Sequence, residues 1–372
     1  MAGQQLTVMQ VLPALQSGGV ERGTLEVAGA LVQAGHRSMV VSGGGGLVED
    51  LLAGGSEHIR LPVGRKSLRV LLEVRRLRRI LRDEQVDIVH ARSRLPAWVV
   101  WLAWRGLPAA QRPRFVTTVH GLYSVNRYSA VMTRGERVIA VSDTARRYIL
   151  DNYPGVDPQR VVTIHRGVDR AEFPPDYRSD ATWLDTWYAE YPLLRERKVL
   201  TLPGRLTRLK GHDDFIDLVA GLVDRGHAVH GLIVGDLDPG RQSYIDELRR
   251  HVADKGMEDR ITFTGQRRDI RDIYSISDLV LSLSNKPESF GRTVLEPLCM
   301  GIPAAGYDHG GVGEILGRVY PEGRIPPGDA GELSRRVENL LEAPPPVARF
   351  GDFTLQAMTE RTLALYAELV QT

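Results

Sequence analysis

Short runs of apolar, β-forming residues alternate along this chain with stretches of helical periodicity. Residues 6–12, 86–91 and 114–119 are predicted strands, and predicted helices end at Ala34 and Arg105. Strands that alternate with helices in this way form a parallel sheet covered by helices on both faces. Because the pattern returns from residue 198 onward, we predict an α/β protein with two doubly wound parallel sheets.

The length and composition allow two domains with separate cores. The chain has 372 residues, of which 42% are hydrophobic and 25% charged, as in an ordinary globular protein. Periodicity fades around Pro174 and Pro175, where we place a linker. The predicted division is an N-terminal domain at 1–172, a linker at 173–197, a second domain at 198–346 and a terminal helix within 347–372.

The sequence predicts no membrane-spanning helix, no secretory signal and no internal disulfide. The longest apolar run, 96–104, is far shorter than the roughly 20 residues that cross a bilayer. Residues 1–11 lack a basic region and a small-residue cleavage site, so no secretory signal is expected. Cys299 is the single cysteine, which excludes an internal disulfide and a cysteine-based zinc cluster. We therefore expect a cytoplasmic protein.

The two halves of the chain have opposite charge. Residues 1–175 contain 24 Lys and Arg against 15 Asp and Glu, whereas residues 176–372 contain 24 against 31. A basic first half is typical of contact with a membrane surface, a phosphorylated acceptor or nucleic acid. The candidate contact residues are Arg75, Arg76, Arg78, Arg79 and Arg82 on a predicted helix at 68–82, with Trp98, Trp101 and Trp104 after it. The alternative is a solvated helix face and a core stripe.

Two glutamates, Glu288 and Glu296, stand eight positions apart across a glycine turn. A predicted strand at 278–283 precedes them, and a predicted helix at 293–300 contains the second. Glu288 then lies in the loop at the carboxyl end of a strand, and Glu296 lies about one helical turn past that loop. The amides of the first helical turn, at 291–294, favour a phosphate. Alternatively, both are ordinary solvated acids, which are common in first helical turns.

Three further strand ends have residues suited to ligand binding. Gly18 and Gly19 would let the backbone approach a ligand, although their spacing is not the dinucleotide pattern G-x-G-x-x-G. His120 follows the strand at 114–119. After the strand at 198–202, the segment 203–211 includes Gly204, Arg205 and Lys210, whose cations can neutralise a diphosphate without metal. The alternatives are a structural glycine turn, a structural histidine and solvated loop cations.

Four segments of the chain resemble motifs of one enzyme family. The pattern Glu288-Ser289-Phe290-Gly291 through Glu296 resembles the signature of the retaining family 4 (group 1) glycosyltransferases of the GT-B fold, and is similar to that of lipopolysaccharide-core enzymes. The segments 204–211, 265–267 and 165–169 resemble further family motifs in the family's order. His165 and Arg166 replace the usual Pro-Asn pair, so no ligand role is carried over to them.

The resemblance implies a fold and a set of roles. It implies two Rossmann-like domains that face a cleft, with the terminal helix packed back toward the first domain. His120 and Glu288 would hold the transferred hexose as catalytic residues, and Glu296 would accept from the ribose. The implied donor-binding residues are Gly18, Gly19, Gly204, Arg205, Lys210, Gln266, Arg267, Ser289, Phe290, Gly291, Thr293, Val294 and Glu296.

The resemblance also implies partners. The donor would be a UDP- or GDP-linked sugar, with no cofactor and no metal site, since we discount the Asp-x-Asp pattern at 236–238 as a turn. The acceptor would be an anionic glycan or glycolipid, such as the lipopolysaccharide core, at the inner face of the cytoplasmic membrane. No nucleic acid is expected. A nucleotide-sugar 2-epimerase and a non-catalytic sugar-nucleotide-binding protein remain alternatives.

Overall fold

The computed structural model describes residues 5–16, 18–65, 70–236, 240 and 242–371. It divides into two compact units, one formed by residues 1–167 with 355–372 and the other by residues 168–354. The start of the helix predicted at 68–82, and Leu237 and Asp238 of the Asp-x-Asp pattern, lie outside the described residues.

Each unit contains one parallel sheet. Within the described residues, the first sheet has the order β3-β2-β1-β4-β5-β6-β7 and the second the order β10-β9-β8-β11-β12-β13. The strands are β1 (Thr7–Val11), β2 (Arg37–Ser42), β3 (Glu57–Arg60), β4 (Ile88–Ala91), β5 (Arg114–Val119), β6 (Arg137–Ala140), β7 (Val161–Thr163), β8 (Lys198–Pro203), β9 (Val229–Val234), β10 (Ile261–Gly265), β11 (Leu279–Ser282), β12 (Ala304–Tyr307) and β13 (Arg324–Ile325).

Helices connect the strands and cover the sheets. They are α1 (Gly19–Gln33), α2 (Val48–Ala53), α3 (Val70–Asp83), α4 (Arg94–Arg105), α5 (Asp143–Asn152), α6 (Ala181–Glu190), α7 (His212–Asp224), α8 (Gln242–Asp254), α9 (Ile270–Ser275), α10 (Arg292–Cys299), α11 (Gly310–Val319), α12 (Ala330–Glu342) and α13 (Leu355–Gln371). Because helices cover both faces, the central strands β4, β9 and β11 are buried along their whole length.

The strand order places one switch point in each sheet. In the first sheet β1 pairs in parallel with both β2 and β4, and in the second β8 pairs with both β9 and β11. The chain therefore leaves the central strand in opposite directions, and the connecting helices pass to opposite faces. In such sheets a crevice opens at the carboxyl ends of the two central strands, where ligands bind.

The arginines of α3 do not all face solvent. Arg75, Arg76 and Arg79 are exposed. Arg78 instead donates to the carbonyls of Ala103 and Leu102 at the end of α4, at 3.2 and 3.4 Å. Cations at a helix C-terminus satisfy the last carbonyls. Arg78 is thus a helix cap, which corrects its assignment to a contact cluster.

The tryptophans of α4 form part of the first core. Trp98, Trp101 and Trp104 all pack against the apolar cluster between α3, α4 and the sheet. The indole N–H of Trp98 donates to the carbonyl of Tyr128, and that of Trp104 to the carbonyl of Pro113. The core-stripe alternative therefore describes these side chains.

The terminal helix α13 belongs to the first unit. Tyr366 on α13 is fully buried, and its hydroxyl lies 2.6 Å from Nδ1 of His90 on β4. Nε2 of His90 lies 2.6 Å from the hydroxyl of Thr118 on β5. Burial lowers the pKa of His90 well below its ordinary value, so the ring is neutral and can serve both partners. This buried chain of hydrogen bonds fixes α13 against two strands.

The segment predicted to be a linker, 173–197, lies within the second unit. Its helix α6 buries Trp187 in a small cluster with Leu194, Val199 and Leu232. The segment covers one face of the sheet near β8 and β9 rather than only joining two domains. Its sparse periodicity reflects the short length of α6.

Stability of the second unit should fall as the pH drops below 6.5. Burial lowers the pKa of His212 and of His230 to about 4, and the charges of Arg197 and Arg260 also act on His230. The unfolded chain therefore binds more protons below pH 6.5, and each histidine stabilises the fold fully above that pH. Lowering the pH from 7.5 to 5 should therefore reduce the unfolding free energy by about 2 kcal/mol for each of these histidines.

Denaturant unfolding of wild type and His230→Gln at both pH values measures this contribution. We expect the variant to lose about 2 kcal/mol less than wild type on acidification. Equal losses would show that His230 does not titrate on unfolding.

Candidate active site

The second sheet brings three loops together at its switch point. β8, β11 and β12 are adjacent in the sheet and parallel, so their carboxyl ends lie at one edge. The loop after β8 contains Gly204, Arg205 and Lys210. The loop after β11 contains Glu288, and the loop after β12 leads into α11 at Gly310. Parallel pairing thus joins residues that are about a hundred positions apart in sequence.

An ion pair links two of these loops. Nζ of Lys210 donates to Oε1 of Glu288 at 2.8 Å, and both side chains are about three-quarters buried. The hydroxyl of Ser284 donates to the same carboxylate oxygen. Partial burial strengthens the attraction between these charges relative to a surface pair. The structure therefore brings together two predicted site residues and adds a third, Ser284.

Glycines let the loops approach this closely. Gly211 has φ +69°, and a Cβ there would lie 1.9 Å from the carbonyl oxygen of Leu283. Gly310 has φ +60°, and a Cβ there would lie 2.5 Å from the carbonyl oxygen of Glu288. Positive φ and the lack of space both require glycine at these positions. The amide of Gly311 donates to that same Glu288 carbonyl at 2.7 Å, which fixes the loop.

Arg205 adds a second cation to the loop after β8, and Gly204 precedes it. Gly204 has φ +149°, and its position lies against the side chain of Lys210. Arg205 is exposed, and its side chain makes no hydrogen bond or ion pair with the residues that the structure describes. An exposed guanidinium on the same loop as an ammonium group can bind an incoming diphosphate without first breaking a contact.

The first-turn amides of α10 were predicted to be free, but they are not all free in the structure. The amide of Val294 donates to the carbonyl of Gly291 at 3.2 Å, because the first turn tightens. Phe290 is buried in the core and packs edge-on against Phe353. Ser289 and Thr293 are half-buried beside them. The Val294 amide is therefore not a ready phosphate donor, and the Phe290 ring is a core group.

Glu296 is bound within the second unit. Its side chain accepts from Nε of Arg292 at 2.9 Å and from the hydroxyl of Tyr274 at 3.2 Å. The residue is only 8% exposed. Its position one turn into α10 is as expected, but both carboxylate oxygens already have partners. A ribose hydroxyl would have to share them.

Gln266 and Arg267 follow β10, two strands away from β8. Arg267 forms a double hydrogen bond with Asp269, at 2.9 and 2.6 Å, and lies over the ring of Trp187. Its guanidinium therefore stabilises the contact between α6 and α9. Gln266 is exposed.

The first sheet also has predicted ligand-binding residues at the carboxyl ends of its strands. Gly18 and Gly19 are exposed and begin α1 after β1, and Gly18 has φ +147°. His120 follows β5, and both its ring nitrogens are inaccessible to solvent. Burial first, and then the charges of Arg92 and Arg166, hold the pKa of His120 well below its ordinary value. A neutral imidazole can donate or accept a hydrogen bond but cannot supply a positive charge.

Several residues of these edges were not among the predicted site residues. Ser284 and His309 follow β11 and β12, and Nε2 of His309 lies 2.8 Å from the carbonyl of Ser284. Arg92 and Arg166 follow β4 and β7 in the first unit. All four lie at the carboxyl ends of parallel strands. That position was the available signal, and it would have identified them.

The edge of the second sheet has the chemistry to bind a phosphorylated ligand. It offers two cations, a carboxylate in contact with one of them, and glycine backbones that leave room nearby. The cations can stabilise a leaving diphosphate, and a carboxylate can accept hydrogen bonds from hydroxyl groups.

Two family models match the chain, one on each half. The model described as Glycosyltransferase Family 4 matches residues 17–172, and the model described as Glycosyl transferases group 1 matches residues 185–356. The second match contains all the residues placed at the edge of the second sheet.

Curated relatives match over part of their length. A 2-deoxystreptamine glucosyltransferase of Streptomyces kanamyceticus is 29% identical over 239 residues, which are 60% of this chain and 54% of that protein. A lipopolysaccharide core biosynthesis mannosyltransferase, LpsB of Rhizobium meliloti, is 28% identical over 186 residues, 50% of this chain and 49% of that protein. The chain spans about half the length of these relatives.

Solved structures match over nearly the whole chain. A glycosyltransferase from Rickettsia africae ESF-5 has a TM-score of 0.86 and 29% identity, covering 99% of both chains. The Anabaena protein Alr3699/HepE, solved in complex with UDP-glucose, has a TM-score of 0.78 and 19% identity, covering 98% of this chain and 100% of that one. These matches and the two parallel sheets confirm the predicted GT-B fold class. The chain belongs to the glycosyltransferases, which are transferase enzymes, with a family 4 domain in its first half and a group 1 domain in its second.

Proposed function

We propose that this protein is a retaining glycosyltransferase, which moves a hexosyl group from a nucleotide-diphosphate sugar to an anionic glycan or glycolipid. The main support is the ion pair between Lys210 and Glu288 at the switch point of the second sheet. A cation for phosphate and a carboxylate for sugar hydroxyls are held together there. The free guanidinium of Arg205 lies on the same loop as Lys210.

The proposed donor is linked to UDP or GDP. The UDP and UDP-glucose bound to the Anabaena protein support a nucleotide-sugar donor for this fold. Arg205 and Lys210 would neutralise the diphosphate, and no metal is required if both cations reach it. Gly204 and Gly211 let this loop adopt its shape. Glu296 is a weaker candidate for the ribose, because Arg292 and Tyr274 already bind its carboxylate.

The proposed reaction exchanges two bonds at the anomeric carbon. The bond to the donor phosphate breaks as the bond to the acceptor oxygen forms on the same face, so the anomeric configuration is retained. The leaving phosphate takes the acceptor's hydroxyl proton. Lys210 stabilises the charge that grows on this phosphate, and Glu288 orients the hexose. His120 remains a predicted hexose contact in the first unit, where its neutral ring would form hydrogen bonds.

A labelled nucleotide sugar separates this function from its alternatives. The protein is incubated with UDP- and GDP-linked sugars and with candidate acceptors, and both the acceptor and the nucleotide fraction are analysed. We expect label in an acceptor. A 2-epimerase, which the two family matches do not support, would give a new nucleotide sugar. A binding protein would give neither product, and either of these outcomes would contradict the proposal.

The proposed acceptor is anionic, and the lipopolysaccharide core is one candidate. The LpsB relative supports that pathway, whereas the 2-deoxystreptamine in the name of the Streptomyces relative points to other acceptors in the same family. The positive charge of the first half favours an acidic acceptor. Phosphorylated and dephosphorylated glycolipids should therefore be compared in the transfer assay.

Peripheral membrane contact is proposed for the exposed face of α3. Among the described residues, no helix combines the length and apolar character needed to cross a membrane. Leu72 on α3 is 58% exposed, and Arg75, Arg76 and Arg79 lie three, four and seven residues after it, on the exposed part of the helix. An exposed leucine flanked by arginines fits an anionic lipid surface.

Vesicle flotation tests this contact. Each arginine near an anionic surface contributes about 1 kcal/mol, so changing Arg75, Arg76 and Arg79 to Ser should lower binding to anionic vesicles about 100-fold. Arg78→Ser is the control, because Arg78 binds the end of α4 and should change vesicle binding less than threefold. Binding should also weaken as salt rises. Equal binding of the triple variant and wild type would show that these arginines form only a solvated helix face.

A further inference from the structure

Two buried arginines meet beneath the first turn of α1. Arg92 follows β4 and is 4% exposed, and Arg166 follows β7 and is 9% exposed. Nη1 of Arg92 donates to the side-chain oxygen of Gln10 on β1 at 2.8 Å. Nη2 of Arg166 donates to the carbonyl of Gly19. We call Arg92 and Arg166 the arginine pair.

The backbone of α1 leaves space for both guanidiniums. A Cβ at Gly23 would lie 2.5 Å from Nη2 of Arg166 and 3.2 Å from Nη2 of Arg92. Both guanidinium groups therefore approach Gly23, where the helix has no side chain. A Cβ at Gly19 would lie 2.8 Å from Nη1 of Arg166, and Gly19 itself is exposed. Arg166 thus lies directly under an exposed glycine.

Charged side chains of α1 lie close to the arginine pair. Glu26 is the carboxylate that acts on Arg92, but it also pairs with Arg22 at 3.6 Å. Glu21, on the same turn, lies against Gly18. Two buried guanidiniums near each other are costly unless anions offset them. The first-turn amides of the 15-residue helix α1 add further positive potential.

Part of the donor capacity of Arg92 is unused within the residues that the structure describes. Nε of Arg92 is buried and has no hydrogen-bond partner among the described residues. A cavity of about 20 Å³ lies between the pair, His90, His120 and Thr118. A cavity of this size holds one water-sized group, which matches one oxygen of a phosphate or carboxylate. His90 and His120 are neutral and would not compete as charges.

We propose that the arginine pair binds an oxyanion, a phosphate or carboxylate group, on the acceptor. Two planar guanidiniums are suited to double hydrogen bonds with such a group. This inference rests on the proposed function for the identity of the ligand as an acceptor. The arginine pair lies in the first unit, whereas Arg205, Lys210 and Glu288 lie in the second.

Inorganic phosphate is the probe for this site. Calorimetric titration of the full chain should detect phosphate binding while the donor site is saturated with UDP, with GDP in parallel. Hydrogen exchange of the wild type should show phosphate-dependent protection in peptides covering 18–24 and 164–168. The exchange experiment needs no variant, so it stays decisive if a substitution disturbs folding.

Three substitutions locate the bound phosphate. Arg166→Asn installs the residue that is usual in the family, and Arg92→Lys keeps the charge but removes the planar fork. Each should weaken phosphate binding at least tenfold and change UDP or GDP binding less than twofold. Arg94→Gln removes a nearby arginine that lies over Tyr123, and should leave phosphate binding within twofold.

Three outcomes would overturn the inference. They are an absence of phosphate-dependent protection in the wild type, unchanged phosphate affinity in both pair variants, and displacement of phosphate by UDP or GDP. Displacement would assign the pair to the donor diphosphate.

Once transfer is established, the pair variants should lower transfer to a phosphorylated acceptor at least tenfold and spare the dephosphorylated one. If no transfer is found but phosphate binds the pair, the proposed function fails while the oxyanion site stands.

Discussion

Lys210→Ala should lower kcat/KM about 100-fold with any donor that the wild type uses. The substitution removes a charge-assisted contact to the donor phosphate, which is worth about 1.5 to 3 kcal/mol, or about 10- to 100-fold. We expect the upper end, because Glu288 would also lose the ammonium group 2.8 Å from its carboxylate. Steady-state kinetics over a donor concentration series measures the change.

The partner substitution Glu288→Gln completes a double-mutant cycle. Glu288→Gln alone should also lower kcat/KM about 100-fold, since the amide cannot pair with Lys210 or accept as strongly from sugar hydroxyls. The double variant should lose less than the product of the two effects, with a coupling energy of about 1 to 3 kcal/mol. Lys286→Ala is the control, because Lys286 is exposed two residues before Glu288.

Full activity of Lys210→Ala would remove this residue from the donor site. Strict additivity of the two substitutions would show that the ion pair of the structure is not part of the functional site. If Lys286→Ala lost as much activity as Lys210→Ala, the effect would reflect only the removal of a positive charge and not the position of Lys210.

Gly211→Ala should damage both the fold and the donor site. Alanine at φ +69° costs about 1 kcal/mol, and its Cβ would lie 1.9 Å from the carbonyl oxygen of Leu283. One of the loops after β8 and β11 must therefore move. We expect a loss of about 3 kcal/mol or more in unfolding free energy and at least tenfold weaker donor binding. Denaturant unfolding and donor titration measure the two effects.

Gly256→Ala separates the two causes. Gly256 lies in the same unit with φ +65°, and no atom lies within 4 Å of its would-be Cβ. This variant has the backbone strain without the clash, so it should lose only about 1 kcal/mol and bind donor normally. Equal effects of the two variants would mean that the contact between Gly211 and Leu283 is unimportant.

The long, strongly periodic elements could be predicted from the sequence. β5 (Arg114–Val119) and the end of α4 at Arg105 match their predicted positions, because apolar runs and helical spacing reflect burial directly. Short elements were missed. α2 has six residues, and β3 has four residues with both ends exposed, so neither gives a clear period. The short helix α9, Ile270–Ser275, has the same weakness.

The candidate site was predictable in its residues but not in its contacts. Strand ends indicated Glu288, Lys210 and His120, since parallel sheets place ligand groups there. That Lys210 pairs with Glu288, 78 residues away, depends on which strands are neighbours. The partners of Glu296 and the cap formed by Arg78 depend in the same way on packing between helices.

Other misses have local causes. The Val294 amide is bonded to Gly291 because the first turn of α10 tightens, which spacing alone does not show. Arg92 and Arg166 meet at Gly23 only because α1 packs over the ends of β4 and β7. The sequence shows two arginines and a glycine, and tertiary packing makes them one cluster.

The anomeric configuration of the product tests the central claim most directly. The protein is incubated in EDTA with an α-linked UDP- or GDP-hexose labelled with carbon-13 at the anomeric position, and the one-bond carbon–proton coupling of the transferred sugar is measured by NMR. We predict an α-linked product formed without divalent metal. A β-linked product, a new nucleotide sugar, or transfer only after a divalent metal is added back would contradict metal-free, retaining transfer.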